Sequence, residues 1–480
     1  MGDGRMDVMT GTLVEWAAAI RRGDVSSFDA VARHLEQIAA HNVNGMGIRA
    51  MIEVNPEALL EAEARDRERR NGFLRGPLHG VPILVKDNLD TADAMQTTAG
   101  SVALEGHRAK EDAEVVRRLR LAGAVIVGKA NLTEWANFLS DHMPNGYSSR
   151  GGQTLNPYGP GQFDVGGSSS GSGAGVAAGF APAAIGTETS GSILSPSSAN
   201  SLVGLKPTLG MVSRRGIIPI AMSQDTAGPM TRTVADAALL MSVIAGPDPR
   251  DVATQGVRWP SREAWLDLGR GALKGARIGV PQAYLEEVPE DERRVFNEAL
   301  SELRELGADV IECDLPKRDF DFDVLVAEFP AALDRYLATV EPWLPVHSLA
   351  DVMAFNARNA DRALRYGQAI FERAQAQSHL HLADGSYVRA RLRDLRESRE
   401  EGIDRALAEH RLDAIAFVNY YGCAIAAKAG YPSITVPAGY TPEGKPVGLT
   451  LTGTAYSDVR LCQLAHDYEQ ATNHRRLPAM

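Results

Sequence analysis

Two runs of serine and glycine, at 166–173 and 186–192, and one lysine, Lys86, are the residues here whose types and spacing suit nucleophilic chemistry. The first run reads Gly-Gly-Ser-Ser-Ser-Gly-Ser-Gly; the second, Gly-Thr-Glu-Thr-Ser-Gly-Ser, ends on Ser192. Glycine permits backbone conformations that aim several N–H groups at one point, as an oxyanion requires of its donors. A serine hydroxyl attacks a carbonyl only when a base takes its proton. Histidine is the usual base, yet no Gly-x-Ser-x-Gly elbow frames Ser192 and none of the 11 histidines stands in a triad context. Lys86 closes the apolar run 81–85. If that run is a buried strand, desolvation draws the ammonium from about 10.4 toward neutrality and leaves an amine able to accept a proton. Singly, Lys86 reads as a surface lysine at a strand end, and Ser168 or Ser192 as turn or cap residues; only the joint pattern points to chemistry.

The elements that must position these residues follow from apolar spacing. Residues 12–42 predict two amphipathic helices broken near 23–26, and a charged helix is expected at about 56–71. The segment 80–88, Gly-Val-Pro-Ile-Leu-Val-Lys-Asp-Asn, reads as a buried strand ending at Lys86. A helix near 112–122 and a strand at 124–127 come next, then a polar loop from about 140 to 163, of the length that in a compact enzyme serves function. Small apolar residues directly after the first serine run predict a packed helix, whose free N–H groups favour negative charge near 168–172. A flexible linker shares the Gly/Ser composition but would not be joined to a core helix. Further short apolar strands at 278–280, 310–311, 414–418 and 434–436, alternating with helices, predict an α/β layered fold around a largely buried sheet. Between about 316 and 410 the strand signal gives way to charged, Ala- and Leu-rich helical sequence. That stretch is either a set of surface helices or a cap over the site.

Composition narrows the class without naming it. With 44% hydrophobic and 23% charged residues, the chain reads as an ordinary globular protein with a large core. A net charge of −11, with 50 basic residues dispersed among 61 acidic ones, disfavours a nucleic-acid partner, because phosphate binding needs a concentrated basic face. Cys313, Cys423 and Cys462 lie far apart with no CxxC, so neither a disulfide framework nor a thiolate zinc site is expected and a reducing, cytoplasmic compartment fits. The opening Met-Gly-Asp-Gly-Arg-Met lacks an apolar signal core, and position 6 lacks the hydroxyl of a myristoylation pattern. The longest apolar stretch, about 174–185, falls short of the ~20 residues that span a bilayer, so no membrane association is expected.

Three motifs in order, Val-Lys-Asp-Asn around Lys86, Gly-Gly-Ser-Ser-x-Gly-Ser at 166 and Gly-Thr-Glu-x-x-Gly-Ser-Ile at 186, followed by Gly204-Leu-Lys-Pro-Thr, resemble the amidase signature family. The resembling core covers about 80–235, and Gly430-Tyr-Pro-Ser-Ile-Thr-Val-Pro with Pro446-Val-Gly-Leu resembles the family's C-terminal part. Asn131-Leu-Thr-Glu-Trp-Ala-Asn-Phe, Gly151-Gly-Gln-Thr-Leu-Asn-Pro-Tyr and Ser223-Gln-Asp-Thr-Ala-Gly-Pro-Met are most similar to the bacterial peptide amidase branch. The resemblance implies one amidase domain over 1–480: a three-layer α/β/α fold around a mixed central sheet, with the helical insertion at about 316–410. It implies a Ser-cis-Ser-Lys triad in which Ser192 is the nucleophile, Ser168, preceded by a cis peptide bond, the bridge, and Lys86 the base. Backbone N–H groups of Thr189, Ser190, Gly191 and Ser192 are the implied oxyanion hole. Gln224 and Asp225 are the expected substrate-binding or supporting residues, Asp225 either organising the region through hydrogen bonds or serving as a structural cap.

The implied activity is hydrolysis of a carboxamide through an acyl-enzyme, on peptide C-terminal amides or on aryl and alkyl amides, by a monomer or homodimer without metal or organic cofactor. Two positions depart from the family's commonest pattern. Ser190 replaces a frequent glycine, and Leu194 replaces a frequent arginine, removing a guanidinium clamp. The path from Phe417-Val-Asn-Tyr-Tyr-Gly-Cys to Ala429-Gly-Tyr-Pro is also shorter than in peptide amidases, which widens the expected pocket. The rival within the fold is the A subunit of a tRNA-dependent amidotransferase; a catalytically dead amide- or peptide-binding protein would require loss of Lys86, Ser168 or Ser192, all present. A nucleotide-binding reading of Gly123-Ala-Val-Ile-Val-Gly-Lys-Ala fails, because Ala130 lacks the magnesium-binding hydroxyl and the middle residues are strand sequence. His142, His347, His379 and His381 read as structural or surface residues, and His379-Leu-His381 has no carboxylate at metal-ligand spacing.

Overall fold

The computed structural model describes residues 6–317, 321–378 and 383–480; His379 and His381, and the Gly2 pattern, lie outside them. Its strands are β1 Met51–Val54, β2 Pro82–Lys86, β3 Val125–Ala130, β4 Tyr147–Ser148, β5 Gly152–Gln153, β6 Ala183–Glu188, β7 Val203–Lys206, β8 Thr226–Thr231, β9 Arg277–Pro281, β10 Asp309–Cys313, β11 Ala414–Val418, β12 Ser433–Tyr440 and β13 Pro446–Thr452. Eleven of them form one sheet in the order β1-β3-β2-β6-β8-β7-β12-β13-β11-β9-β10; β4 and β5 pair separately inside the long polar loop. The sheet is mixed. β2 runs parallel to β3 and β6, and β9 parallel to β10 and β11, while β8, β12 and β13 pair antiparallel.

Strand alternation sorts the core into two faces. Ile83 and Val85 of β2, Ile126 of β3 and Ile185 of β6 pack with Leu13, Trp16 and Ile20 of the helix Leu13–Arg22, with Val115 and Leu119 of Glu114–Leu121, and with Phe296 and Leu303 of Glu290–Glu305. Leu84, Val125, Val127 and Ala184, one residue out of phase, pack with Val31 and Ile38 of Ser27–His41, with Ala58 and Ala62 of Ala58–Arg70, and with Ala174 and Val176 of Ser170–Ala177. Helices therefore cover both sides of the sheet, the three-layer α/β/α arrangement expected. Lys86 shares the phase of Leu84, which directs it to the face carrying the helix Ser170–Ala177. Burial of the whole of β2 and β3 explains why 81–85 and 124–127 read as continuous apolar runs.

Between β10 and β11 lie the helices Asp323–Leu337, Leu349–Arg358, Ala369–Gln377 and Gly385–Leu395, a π-helical stretch Arg396–Ile403, and Asp404–His410. Apolar residues of the first four, among them Phe329, Leu333, Val352 and Phe371, form one cluster with Trp135, Phe138, Leu139 and Ile220, on the loops that follow β3 and precede β8, whereas Ile403 and Ala406 pack with Ile415 and Phe417 of β11. Phe138 meets Phe329 edge-on at 4.8 Å, and Phe329 lies 5.2 Å from Phe371. No described helix is long and apolar enough to cross a membrane.

Candidate active site

Lys86 ends β2 with its side chain fully buried. Its Nζ lies 2.8 Å from Ser168 Oγ and 2.9 Å from Thr187 Oγ1, and donates to the Thr187 carbonyl at 3.3 Å. No carboxylate makes an ion pair with it among the described residues. Burial therefore pulls the ammonium down to about 7, against the weaker opposing pull of Glu188 and Asp225. Asn88 Nδ2 donates to the same Thr187 hydroxyl at 3.0 Å and fixes it beside the amine.

Ser168 follows a cis peptide bond from Gly167. Its carbonyl accepts from Thr133 N–H at 3.0 Å, and the next residue, Ser169, donates its N–H to the Ser192 carbonyl at 3.1 Å and its hydroxyl to the Thr187 carbonyl at 3.0 Å. A side chain at Gly167 would stand 2.4 Å from Asn145 Oδ1 and 2.7 Å from Thr133 Oγ1, so any larger residue there would displace one of those side chains. Backbone and Ser169 thus hold Ser168, Thr187 and Ser192 in one patch. Among the described residues no hydrogen bond joins the hydroxyls of Ser168 and Ser192.

The turn 189–192 links β6 to the helix Leu194–Ala199, with Gly191 at φ 78°. Buried Glu188 accepts from the N–H groups of Ile193 at 2.7 Å and Leu194 at 3.0 Å and also faces that of Gly191. The N–H groups of Thr189, Ser190 and Ser192 have no acceptor among the described residues. Asp225 accepts from Thr189 Oγ1 at 2.6 Å and from the N–H groups of Ile220 and Ala221 at 2.9 and 3.0 Å, and burial lifts its carboxyl to about 6. Gln224 Nε2 donates to the Thr189 carbonyl at 3.2 Å, while its buried Oε1 has no partner. Ser190 Oγ lies 3.6 Å from Cys423 Sγ.

All the residues singled out from sequence, Lys86, Ser168, Thr189, Ser190, Gly191, Ser192, Gln224 and Asp225, thus converge on one patch. Leu194 is fully buried and presents no side chain to solvent. His142 and His347 are exposed. Three participants were not singled out: Thr187, which holds Lys86; Glu188, which orients the turn; and Lys206, buried near Glu188, whose ammonium burial drives down. Glu188 and Lys206 sit inside quoted motifs, Glu188 between two threonines and Lys206 between Leu205 and Pro207, where the charge alone was the available signal. Among the described residues no group of three His, Cys, Asp or Glu side chains is placed to hold a metal ion.

Residues 29–420 match the sequence profile of the family described as Amidase. A protein of Arabidopsis thaliana described as a probable amidase is 39% identical over 478 residues, covering 98% of this chain and 92% of that protein. The peptide amidase of Stenotrophomonas maltophilia superposes with a TM-score of 0.92 at 45% identity, over 98% of both chains. The A subunit of the glutamyl-tRNA(Gln) amidotransferase of Symbiobacterium thermophilum is 36% identical over 478 residues, 94% of this chain and 95% of that protein.

Proposed function

The chain belongs to the amidase family and is an amide hydrolase, and on that premise we propose that Ser192, Ser168 and Lys86 carry its reaction. The observation that supports the roles most strongly is a fully buried lysine, drawn to about 7, with its amine 2.8 Å from the Ser168 hydroxyl. A lysine neutral for much of the time at physiological pH can take the Ser168 proton as Ser168 takes that of Ser192. Ser192 Oγ then attacks the carboxamide carbon. Negative charge gathers on the carbonyl oxygen, and the free N–H groups of Thr189, Ser190 and Ser192 receive it, with Gly191 supplying the turn. The relay reversed protonates the departing nitrogen, which leaves as ammonia or an amine. Water attacks the acyl ester on Ser192 with the same base assisting.

Asp225 keeps Thr189 in place from behind the turn, a supporting role, while the unpaired Oε1 of Gln224 is suited to accept from the substrate's carboxamide N–H. The helices at about 316–410 act as a cap within one amidase domain. Their support for this role is the apolar cluster that ties them to the loops beside the site. For substrate we favour peptide C-terminal amides, in line with the 45% identity to a peptide amidase over nearly the whole chain. The more distant amidotransferase relative, at 36%, supports a chain acting without tRNA or companion proteins, alone or as a homodimer. A cytoplasmic location agrees with three free cysteines.

Ammonia release from peptide amides, aryl amides and glutamine by the purified chain tests this reading. Turnover of peptide amides is expected. Activity confined to glutamine, or absent until companion proteins are added, would replace it with the amidotransferase reading.

A further inference from the structure

A row of polar contacts joins the helical insertion to the loops that follow β2. His107 Nδ1 lies 2.7 Å from Glu341 Oε2, His107 Nε2 lies 3.1 Å from the Tyr336 hydroxyl, and that hydroxyl lies 2.7 Å from Asp90 Oδ1. Asp90 stands just beyond Lys86, and His107 on the loop ahead of the helix Glu114–Leu121. Tyr336 belongs to the helix Asp323–Leu337 and Glu341 to the turn after it. Every step of the row therefore crosses between insertion and core.

The hydrogens available do not suffice for the row. Each contact takes one, and with both carboxylates ionised the tyrosine brings one and a neutral imidazole brings one. A third proton must be bound. It sits either on the imidazole, which then donates from both nitrogens, or on Asp90, which then donates to the tyrosine oxygen while the tyrosine donates to Nε2. When it is lost, the ionised carboxylates keep the two remaining hydrogens, because charged acceptors make the stronger bonds. Lone pairs of Tyr336 and His107 then face each other across the 3.1 Å contact.

The neighbouring charges leave that proton in place without replacing it. Burial lifts the Asp90 carboxyl to about 6, against the opposing pull of the Tyr336 hydroxyl, Lys129, His107 and Thr97. Lys129, reaching over from β3, is tied to the Leu89 carbonyl at 2.6 Å and to Thr97 Oγ1 at 2.8 Å. Asp87 faces Tyr336 as a further negative charge. Burial would raise Glu341, but His107 and the Arg108 N–H hold it below the ordinary carboxylate value. Across the cavity of about 480 Å³ beside Asp90, His107 and Tyr336, the arginines are already paired. Arg214 is bound to Asp251, Arg215 to Asp248 and Glu114, and Arg250 to Glu111, while Arg120 holds Asp112. Asp225 accepts from the catalytic turn. Lys110 and Arg335 are exposed, so the cavity reaches solvent and the proton can exchange.

We propose that Glu341, His107, Tyr336 and Asp90 form a proton-operated clasp: with the third proton bound, three hydrogen bonds fasten the insertion to the core, and with it lost the middle one breaks. A carboxyl whose proton is held more tightly in the folded chain gives up that hold as pH rises through its folded value. The fastening is therefore present in mild acid and lost above about pH 6. Lys86 is protonated below about 7, so acid that silences the base also fastens the insertion. The clasp stands on these contacts and does not depend on which amide the site cleaves.

Hydrogen–deuterium exchange of the full chain, corrected for the intrinsic pH dependence of amide exchange, reads the fastening in the segment 336–344. Protection there is expected to fall about tenfold between about pH 5 and 7.5. In Asp90→Asn the side-chain amide donates to the Tyr336 oxygen and Tyr336 to Nε2, which supplies the third hydrogen without a titrating proton. Protection in that variant is expected to stay high at both pH values. Tyr336→Phe removes two of the contacts, and protection is expected to be low at both. The proposal is overturned if protection in the unaltered chain does not change with pH, or if it falls in Asp90→Asn as much as in that chain. If Asp90→Asn does not fold, Tyr336→Phe decides alone, and a tenfold fall retained there overturns the clasp.

Discussion

Around Lys86 the hydrogen-bonding groups are buried and tied to one another, the lysine to Ser168 and Thr187, Thr187 to Asn88, Ser169 back to Thr187 and Ser192. Around Phe329 there is almost nothing to tie, only the rings of Phe138 and Phe371 and the aliphatic chains that pack with them. The polar floor around Lys86 uses burial to shift several pKa values, those of Lys86 and Asp225 among them, and leaves a few N–H groups unpaired. The helices between Asp323 and His410 are stabilised by apolar burial of the common kind. Substitutions in the first region should therefore change chemistry with little change in folding, and in the second the reverse.

The largest effect that would separate the regions is on turnover. Ser192→Ala or Lys86→Met is expected to lower kcat by about 10⁴-fold, read as ammonia release, with an unchanged circular dichroism spectrum. A Ser192→Ala chain keeping a tenth of wild-type activity would end the relay. Ser168→Ala should cost about 10³-fold, since Lys86 then has no bridge to Ser192. In the helical region Phe329→Ala should lower unfolding stability by about 3–5 kcal/mol in urea titration, with kcat close to wild type in the folded fraction; a fall in kcat as large as that of Ser168→Ala would erase the contrast.

Smaller effects sharpen it. Only unprotonated Lys86 accepts a proton, so log kcat/KM should fall with a slope near one below about pH 7 and level off above it. The same shift carries a stability sign. The unfolded lysine holds its proton to about 10.4 and the folded one releases it near 7, so between those values the unfolded state binds more protons. Stability from this group then rises by roughly 1 kcal/mol per pH unit through that window, and a pH series on Lys86→Met lacking that rise checks it. At the bottom of the scale, Arg373 bonds Asp141 at 2.8 Å with both side chains well exposed. Arg373→Ala should cost under about 1 kcal/mol and leave kcat untouched.

Much of the frame was legible along the chain. The helices of 13–41 and the strand ending at Lys86 follow from apolar period, and the observed bounds differ by a residue or two. β3 runs three residues past its expected end, because Gly128 and Lys129 pair with β1 despite their types. β8 was not legible. Its Gly228 and Pro229 are poor strand residues, admitted where Gly228 lets the backbone approach Leu205 and Pro229 pairs with Ile185. Trp135, Ala136 and Asn137 adopt three consecutive left-handed conformations, against the preference of the first two, and no local pattern announces that. The helical stretch beyond 316 was visible as helix. Its packing partners, more than a hundred residues back in the chain, were not.

By itself the sequence determined which residue types stood where: a lysine closing an apolar strand, two small-residue runs that only tight turns accommodate, and a helix too rich in alanine and glycine to lie anywhere but inside. The tertiary structure decided what those residues are chemically. Lys86 acquires its proton affinity from burial beside Ser168, 82 residues away, and Thr187, 101 residues away, against the weaker opposing pull of Glu188 and Asp225. Desolvation belongs to a place, not to a residue, and a place exists only once the sheet has closed over it.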